Sequence, residues 1–292
     1  MTQSLSVLQR ATKADVRTDP FPHLVIDRAL PEDLYQQLVA INPRPKALGV
    51  DETKNNKRWT HSALRMKLNF FLPRLWKQFI AYHSSDAFFR EIVDLFYEQI
   101  HALYPDRFPS YETLTRMRVG SRGIRPFSNN DVLMEALMAG NTPVRQASSV
   151  RTTHVDTGEK LFSGLFYMRN DDDDSVGGDL TISRFKPHYS FEDKLGCFNY
   201  QYVDEKHVEH IQTVKYSRNV LVLLLNSLDA LHGVTVRQPT QHSRRFVNLV
   251  VAVDPPLYYL SRTGERPITT QARSPIAHAG RAPEVPVNLF AN

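Results

Sequence analysis

The sequence predicts an α+β protein in which a helical N-terminal region precedes a β-rich core. The helical signal consists of apolar residues three and four positions apart, first after Pro31 and again between Ser85 and Pro105. From Tyr111 onward, short β-type runs alternate with Gly, Pro, Asn and Asp. No helical pattern of crossover length separates these runs. We therefore expect a sandwich or barrel, with the jelly roll as the leading candidate, rather than a parallel α/β sheet.

These signals divide the chain into three parts. Residues 1–110 form the helical region that packs on the core, residues 111–260 form the core, and residues 261–292 form a tail rich in Pro and Arg with few periodic apolar positions. The predicted strands of the core are 113–119, 131–137, 150–155, 161–168, 179–185, 211–214, 219–225, 231–236 and 245–253.

Composition excludes several classes of protein. No stretch of the 292 residues approaches the ~20 apolar positions of a membrane helix. The N-terminus lacks the apolar core of a secretory signal, and the single cysteine, Cys197, cannot form an internal disulfide, so we expect a cytoplasmic protein. The net charge is +5, but the basic residues are scattered, which makes nucleic-acid binding a minority hypothesis.

The chemistry is indicated first by His154 and Asp156. Two residues spaced by two along a strand point to the same side, so both side chains can reach one metal ion. Two imidazoles and one carboxylate on one face of an octahedron leave adjacent positions open, as a non-haem iron site requires. A His-x-Asp triplet is easily met by chance in a chain with eleven histidines, and the alternative is a surface turn.

The second imidazole is assigned to His232. It follows the strongly apolar run 220–225 and a short turn, so it enters a strand beside a buried strand and can face the interior of a barrel. The alternative is a histidine that is hydrogen-bonded within the core.

An arginine pair, Arg244 and Arg245, opens the last apolar strand. A buried cation there needs an anionic partner, and the planar guanidinium can hold a carboxylate with two parallel hydrogen bonds. Arg245 is preferred because an inward Arg245 shares its face with Val247 and Leu249, which leaves Arg244 as a solvated residue at the strand end.

The order His154-x-Asp156, then His232 about eighty residues later, then Arg245, resembles the 2-oxoglutarate/Fe(II) oxygenase superfamily, specifically its prolyl-4-hydroxylase-like branch. The resemblance covers roughly residues 131–253.

Three further segments carry the same resemblance. Residues 163–168 are similar to the tyrosine-bearing strand of that branch, and residues 177–180 to its double-glycine turn. Less specifically, residues 20–27 resemble the opening of bacterial members whose helical N-terminal part buttresses the barrel.

The resemblance implies a double-stranded β-helix of the jelly-roll, cupin-like kind. Iron would be held by His154, Asp156 and His232, and the cosubstrate 2-oxoglutarate would chelate it, with Arg245 on the distal carboxylate. Tyr167 matches the position whose hydroxyl often assists that arginine. The alternative is that Tyr167 is an aromatic residue of the core without a binding role. Related halogenases replace the carboxylate ligand with a small residue, so Asp156 favours hydroxylation.

The implied reaction is the hydroxylation of an unactivated C–H bond by O2, with succinate and CO2 as co-products and ascorbate as a candidate reductant. The substrate is not specified by the sequence: a prolyl residue in a peptide, an amino acid and another small metabolite are all compatible. Five arginines could line an entrance for an acidic substrate, but we favour the alternative that they are solvated at the surface. They are Arg116, Arg118, Arg122, Arg125 and Arg151.

Two alternatives remain. The first is a cupin-type metalloenzyme that does not use 2-oxoglutarate, against which the inward Arg245 argues. The second is a non-catalytic, basic β-sandwich binding module, which predicts that His154, Asp156 and His232 do not converge.

Overall fold

The computed structural model describes residues 4–124, 126–260 and 268–269. Within them there are six α-helices: α1 (Glu32–Ala40), α2 (Ala63–Leu68), α3 (Arg74–His83), α4 (Asp86–Leu103), α5 (Tyr111–Thr115) and α6 (Phe191–Gly196). The strands are β1 (Val16–Arg17), β2 (His23–Asp27), β3 (Arg58–His61), β4 (Val119–Ser121), β5 (Val132–Asn141), β6 (Lys160–Met168), β7 (Leu180–Phe185), β8 (Phe198–Asn199), β9 (Tyr202–Val203), β10 (Val208–Val214), β11 (Arg218–Leu225), β12 (His232–Val234), β13 (Arg244–Val253), β14 (Tyr258–Tyr259) and β15 (Ile268–Thr269).

Two sheets build the core. The large sheet has the order β1-β2-β11-β6-β13-β5-β3, with β4 added beside β5, and the small sheet has the order β10-β7-β12. Along the chain, β5, β6, β11 and β13 belong to the large sheet, and the intervening β7, β10 and β12 belong to the small one. Apart from the parallel pair of β4 and β5, the neighbouring strands of both sheets are antiparallel. This alternation between two facing antiparallel sheets is a jelly-roll arrangement.

The predicted strands of the core are largely confirmed. β6, β7, β11 and β13 lie within one residue of their predicted bounds, and β5 extends further, to Asn141. The predicted strand at 113–119 is wrong: α5 covers its first half, because the hydroxyl of Ser110 accepts the backbone N–H of Thr113 and caps a helix there. The predicted strand at 150–155 is not formed as a strand: only His154 within it makes isolated bridges, to Tyr202 and His232.

The N-terminal region contributes strands as well as helices. α1 and α4 lie at the predicted places, and the hydroxyl of Ser85 caps α4. The same region also supplies β2, which pairs with β11, and β3, which pairs with β5. The division at residue 110 therefore does not coincide with a structural boundary. Nearly all of the predicted tail, residues 261–292, lies outside the described residues; β15 within it pairs with β14.

Both faces of the large sheet are buried, which decides the orientation of the site residues. Along β11, Leu221, Leu223 and Leu225 belong to the cluster that includes the aromatic side chains of α3 and α4, whereas Val222 and Leu224 belong to the cluster between the two sheets. The continuous apolar sequence of this strand follows from burial on both sides. None of the helices within the described residues is long and apolar enough to cross a membrane.

A fully buried histidine at the end of α3 makes stability depend on pH. The Nδ1 of His83 donates to the carbonyl of Phe79, its Nε2 accepts the backbone N–H of Val7, and burial lowers its pKa to about 4 from 6.5. Between these two values the unfolded chain binds a proton that the folded chain does not. The free energy of unfolding is thus expected to fall as pH drops from 6.5 to 4, by about 3 kcal/mol from this residue.

Urea unfolding at several pH values measures this dependence. His83→Gln should reduce the slope by the share of this residue, because other buried histidines still contribute. His188→Gln, at an exposed position, should leave the slope as in the wild type. A free energy of unfolding that stays constant from pH 6.5 to 4 would contradict the prediction.

Candidate metal centre

His154 and His232 lie side by side at the edge of the small sheet. Each donates its backbone N–H to the carbonyl of the other over 2.9 Å, and their ring centroids are 4.3 Å apart. In β12, His232 pairs with Ile182 of β7, whose side chain belongs to the cluster between the sheets. Because directly paired residues share a face, both histidines point into the space between the two sheets.

Backbone carbonyls orient the two imidazoles. The Nδ1 of His154 lies 2.8 Å from the carbonyl oxygen of Thr152, and the Nδ1 of His232 lies 2.9 Å from that of Ala230. A carbonyl can only accept, so each Nδ1 carries the proton and each Nε2 keeps its lone pair. This is the tautomer that a metal-binding histidine needs.

Asp156 completes the group. One ligand atom each from His154, Asp156 and His232 lies within 4.8 Å of the others, and all three residues are buried. The Oδ1 of Asp156 accepts a hydrogen bond of 2.7 Å from Lys160, whereas its Oδ2 lies 3.9 Å from the Nε2 of His232. Lys160 thus occupies one carboxylate oxygen and leaves the other facing the histidines.

The protonation states of the three side chains suit a divalent cation. Burial, followed by the charges of His232 and Arg151, lowers the pKa of His154 well below 6.5, and burial likewise lowers the pKa of His232. Burial alone would raise the pKa of Asp156, but the surrounding cations, led by Lys160, bring it well below 3.8. At neutral pH the group therefore consists of two neutral imidazoles and one carboxylate, with no proton to displace on metal binding.

These donors fit iron(II). Two imidazole nitrogens and one carboxylate oxygen on one side of an ion form the facial donor set of non-haem iron sites. Among the described residues this is the one group of three or more His, Cys, Asp or Glu side chains whose geometry could hold a metal ion. The three metal-binding residues predicted from the sequence do converge.

The structure brings Arg244, not Arg245, into the space between the sheets. Arg244 is 2% exposed, and it lies on the face of β13 that carries Phe246, a member of the inter-sheet cluster. Arg245 is half-buried and lies on the opposite face with Val247 and Leu249, which pack towards the helices. The predicted alternation was right, but the apolar face taken for the interior of the barrel is the one covered by helices.

Arg244 is a buried cation without an acidic partner among the described residues. Its guanidinium donates to the hydroxyl of Tyr167 over 3.0 Å and lies over the rings of Tyr167, Tyr216 and Phe246. Asn141 of β5 pairs directly with Arg244, and the Nε of Arg244 and the Nδ2 of Asn141 have no hydrogen-bond partner. Unsatisfied buried donors are costly, and an anion placed here would satisfy both.

Tyr167 is fully buried beside this guanidinium. Burial raises the pKa of its phenol, and the charge of Arg244 opposes that shift. The phenol thus keeps its proton at neutral pH and can donate it to the same anion as Arg244. Whether it does so stays a prediction.

The double glycine at 177 and 178 is explained by the approach of two other chain segments. Both residues have positive φ, +79° and +76°, which favours glycine. A Cβ on Gly177 would lie 1.9 Å from the carbonyl oxygen of Val236, and a Cβ on Gly178 would lie 2.8 Å from Arg237 and 3.3 Å from the Cδ of Arg244. The turn therefore packs directly on the side chain of Arg244.

Two cations near Asp156, Lys160 and Arg58, carried no signal in the sequence. Lys160 is four residues after Asp156 but belongs to β6, and Arg58 comes from the edge strand β3, about a hundred residues upstream. Only the assembled sheet brings them to the site.

The arginines of the predicted entrance have separate positions. Arg151 lies at the site, with Nη1 3.9 Å from the Oδ1 of Asp156. Arg118 and Arg122 instead pair with acidic residues at and near the opposite end of β5, Asp131 and Glu135. Arg116 follows α5, and Arg125 lies outside the described residues.

Fold and site together define an α+β protein with two facing sheets and a buried His-Asp-His group that could hold a metal ion. The chain is similar to solved structures of prolyl 4-hydroxylases and of an Fe(II)/α-ketoglutarate-dependent dioxygenase.

Two examples give the extent of this similarity. A prolyl-4-hydroxylase from Pseudomonas putida is 14% identical, with 83% of this chain and 97% of that chain covered and a TM-score of 0.43. A prolyl 4-hydroxylase from Phytophthora capsici is 13% identical, with 87% and 67% covered and a TM-score of 0.45. No protein-family model matches the sequence, and a search of curated proteins finds no match.

Proposed function

We propose that this protein is an Fe(II)- and 2-oxoglutarate-dependent dioxygenase that hydroxylates an unactivated C–H bond. The observation that carries the proposal is that three candidate metal ligands and a buried arginine face the same space between the two sheets. His154, Asp156 and His232 lie together at the edge of the small sheet. The large sheet carries Arg244, a buried cation that lacks an anionic partner among the described residues.

Each feature has its own role in binding. The three ligands would hold the iron, leaving adjacent positions open for the 2-oxo acid end of the cosubstrate and for oxygen. Arg244 would hold the distal carboxylate, with the Tyr167 hydroxyl as a second donor, because a guanidinium fork matches a carboxylate. When bound, iron and 2-oxoglutarate would supply, with O2, the oxidation of C–H to C–OH, with succinate and CO2 as co-products.

The chain's own contribution is orientation and exclusion of water. Lys160 holds one oxygen of Asp156, and the carbonyls of Thr152 and Ala230 hold the imidazoles, so the ligand set is oriented before metal binds. Apolar residues between the sheets, among them Leu180 and Val222, shield the site from solvent.

An anaerobic titration tests the proposal. Purified apo-protein is loaded with Fe(II) and titrated with 2-oxoglutarate while the weak visible charge-transfer band of the chelate is followed. We expect a saturable band, and succinate on admission of oxygen with ascorbate as reductant.

The other outcomes discriminate between functions. Metal binding without the band would favour a cupin-type enzyme that does not use 2-oxoglutarate. Absence of metal binding at neutral pH would favour a non-catalytic module.

A further inference from the structure

The large sheet also carries cations near the candidate metal centre, on its inner face and towards its edge strand β3. Arg58 of β3 pairs directly with Asn141 of β5, which pairs with Arg244 of β13. Directly paired residues share a face, so the three side chains form one row on the inner face of the sheet. Arg244 lies at the buried end of this row, and Arg58 lies at the exposed end, on the edge strand.

Arg58 is close enough to both Asp156 and Arg244 to be affected by their charges. It is solvent-accessible yet enclosed by protein on several sides, and this enclosure lowers its pKa. Arg151 and Arg244 lower that pKa further, whereas Asp156 raises it. Arg58 thus feels the charges of both halves of the proposed site. Among the described residues its guanidinium has no hydrogen bond or ion pair.

Arg151 approaches the metal centre from the small sheet. Its Nη2 donates to Gln201 over 3.0 Å, and its guanidinium lies 6.0 Å from the centre of the Tyr202 ring. Gln201 is itself held, since its amide donates to the carbonyl of Val155. These contacts fix a guanidinium whose Nη1 is 3.9 Å from the Oδ1 of Asp156.

The charges at this mouth are unbalanced. Lys160, Arg151 and Arg58 all act on one carboxylate, that of Asp156. In the proposed function Asp156 binds the metal, and 2-oxoglutarate binds the metal and Arg244. Loading the site with a dication and a dianion therefore leaves the excess of positive charge in place. A cleft lined by one sign of charge concentrates ligands of the opposite sign.

We infer that the substrate of the proposed reaction carries an oxyanion, a carboxylate or a phosphate, which Arg58 and Arg151 hold at the mouth of the site. This inference rests on the proposed function and specifies its substrate class. Because the guanidinium of Arg151 lies 3.9 Å from a metal ligand, an anion bound there is close to the metal. The carbon that is hydroxylated therefore lies within a few bonds of the anion, as in a small acidic metabolite.

The test uses paired probes and a metal that does not react with oxygen. Protein loaded with Mn(II) and 2-oxoglutarate is mixed with N-acetyl L-amino acids or with the corresponding neutral amides. Glycerol 3-phosphate and glycerol form the pair for phosphate. Paramagnetic broadening of the probe's proton resonances by Mn(II) reports binding near the metal.

We expect broadening of the anionic probes and none of their neutral partners, and the arm that broadens distinguishes carboxylate from phosphate. Arg58→Gln and Arg151→Gln should each weaken this binding by about tenfold or more, since each removes a charged hydrogen-bonding partner. Arg58→Lys, which keeps the charge and loses the fork, should retain part of it. Arg74→Gln, at an exposed position of α3, matches the loss of charge and should have no effect.

Two results would overturn the inference. If the neutral probes bind as well as the anionic ones, the mouth has no anion site and the inference is wrong. Equally, if Arg58→Gln and Arg151→Gln weaken 2-oxoglutarate binding while probe binding is unchanged, these cations serve the cosubstrate. Failure of 2-oxoglutarate to bind at all would reject the proposed function, and the same comparison on the Mn(II) form would still decide the anion site.

Discussion

Asp156→Ala is expected to abolish metal binding at neutral pH. The carboxylate is the only anionic ligand among the three residues of the metal-binding group, and without it two neutral imidazoles face a dication together with the uncompensated charge of Lys160. We expect the affinity for Fe(II) or Zn(II) to fall by more than about 100-fold, beyond the loss typical of a residue that only orients a ligand. Competition with a chromophoric chelator measures the dissociation constant.

Two further variants control for size and fold. Asp156→Asn preserves the shape and removes the charge, so it should lose most of the metal affinity as well. Asp173→Asn changes a buried carboxylate that contacts Ser175 rather than the metal-binding group, and it should bind metal as the wild type does. A folded Asp156→Ala protein with unchanged metal affinity would show that the metal binds elsewhere.

Arg244→Gln is expected to remove 2-oxoglutarate binding while metal binding persists. Truncating one partner of a buried, hydrogen-bonded charge pair costs about 2–5 kcal/mol, so we expect a loss of at least about 30-fold in affinity. Titration of the charge-transfer band in the Fe(II) form measures it. Arg244→Lys should also bind weakly, because an ammonium lacks the planar fork that matches a carboxylate.

The neighbouring arginine provides the matched control. Arg245→Gln removes the same charge one residue away, on the face of β13 that packs towards the helices, and its 2-oxoglutarate affinity should stay within about threefold of the wild type. Thermal unfolding checks that both variants are folded. Equal losses in the two variants would contradict the assignment to Arg244, and a loss in Arg245→Gln alone would place the cosubstrate on the other side of the sheet.

Local patterns predicted much of the fold. The α4 helix was predictable because its apolar positions recur at helical spacing between a serine cap and a proline. The strands β6, β7, β11 and β13 were predictable because each is a short apolar run between turn residues. β2 and β3 escaped prediction because each is short and gains its stability by pairing with β11 or β5, which is a non-local contact.

The case of the two arginines shows where periodicity stops being informative. The alternation along β13 correctly separated Arg244 with Phe246 from Arg245 with Val247. It could not say which face meets the small sheet, because both faces are apolar when helices cover one of them. Burial on both sides removes the contrast between polar and apolar positions from which the orientation of a strand is read.

The sequence by itself determined the ligand types and the turn chemistry. The spacing of His154 and Asp156 predicted that their side chains meet, and their ligand atoms do lie together although the segment forms only isolated bridges. The double glycine at 177 and 178 predicted a turn, and both residues have positive φ there. Tertiary structure alone decided that His232 pairs with His154, that Arg244 faces inward, and that Arg58 and Lys160 join the site. The reason is physical: these contacts join segments far apart in the chain or depend on which face of a sheet is covered, and sheet pairing and packing set both.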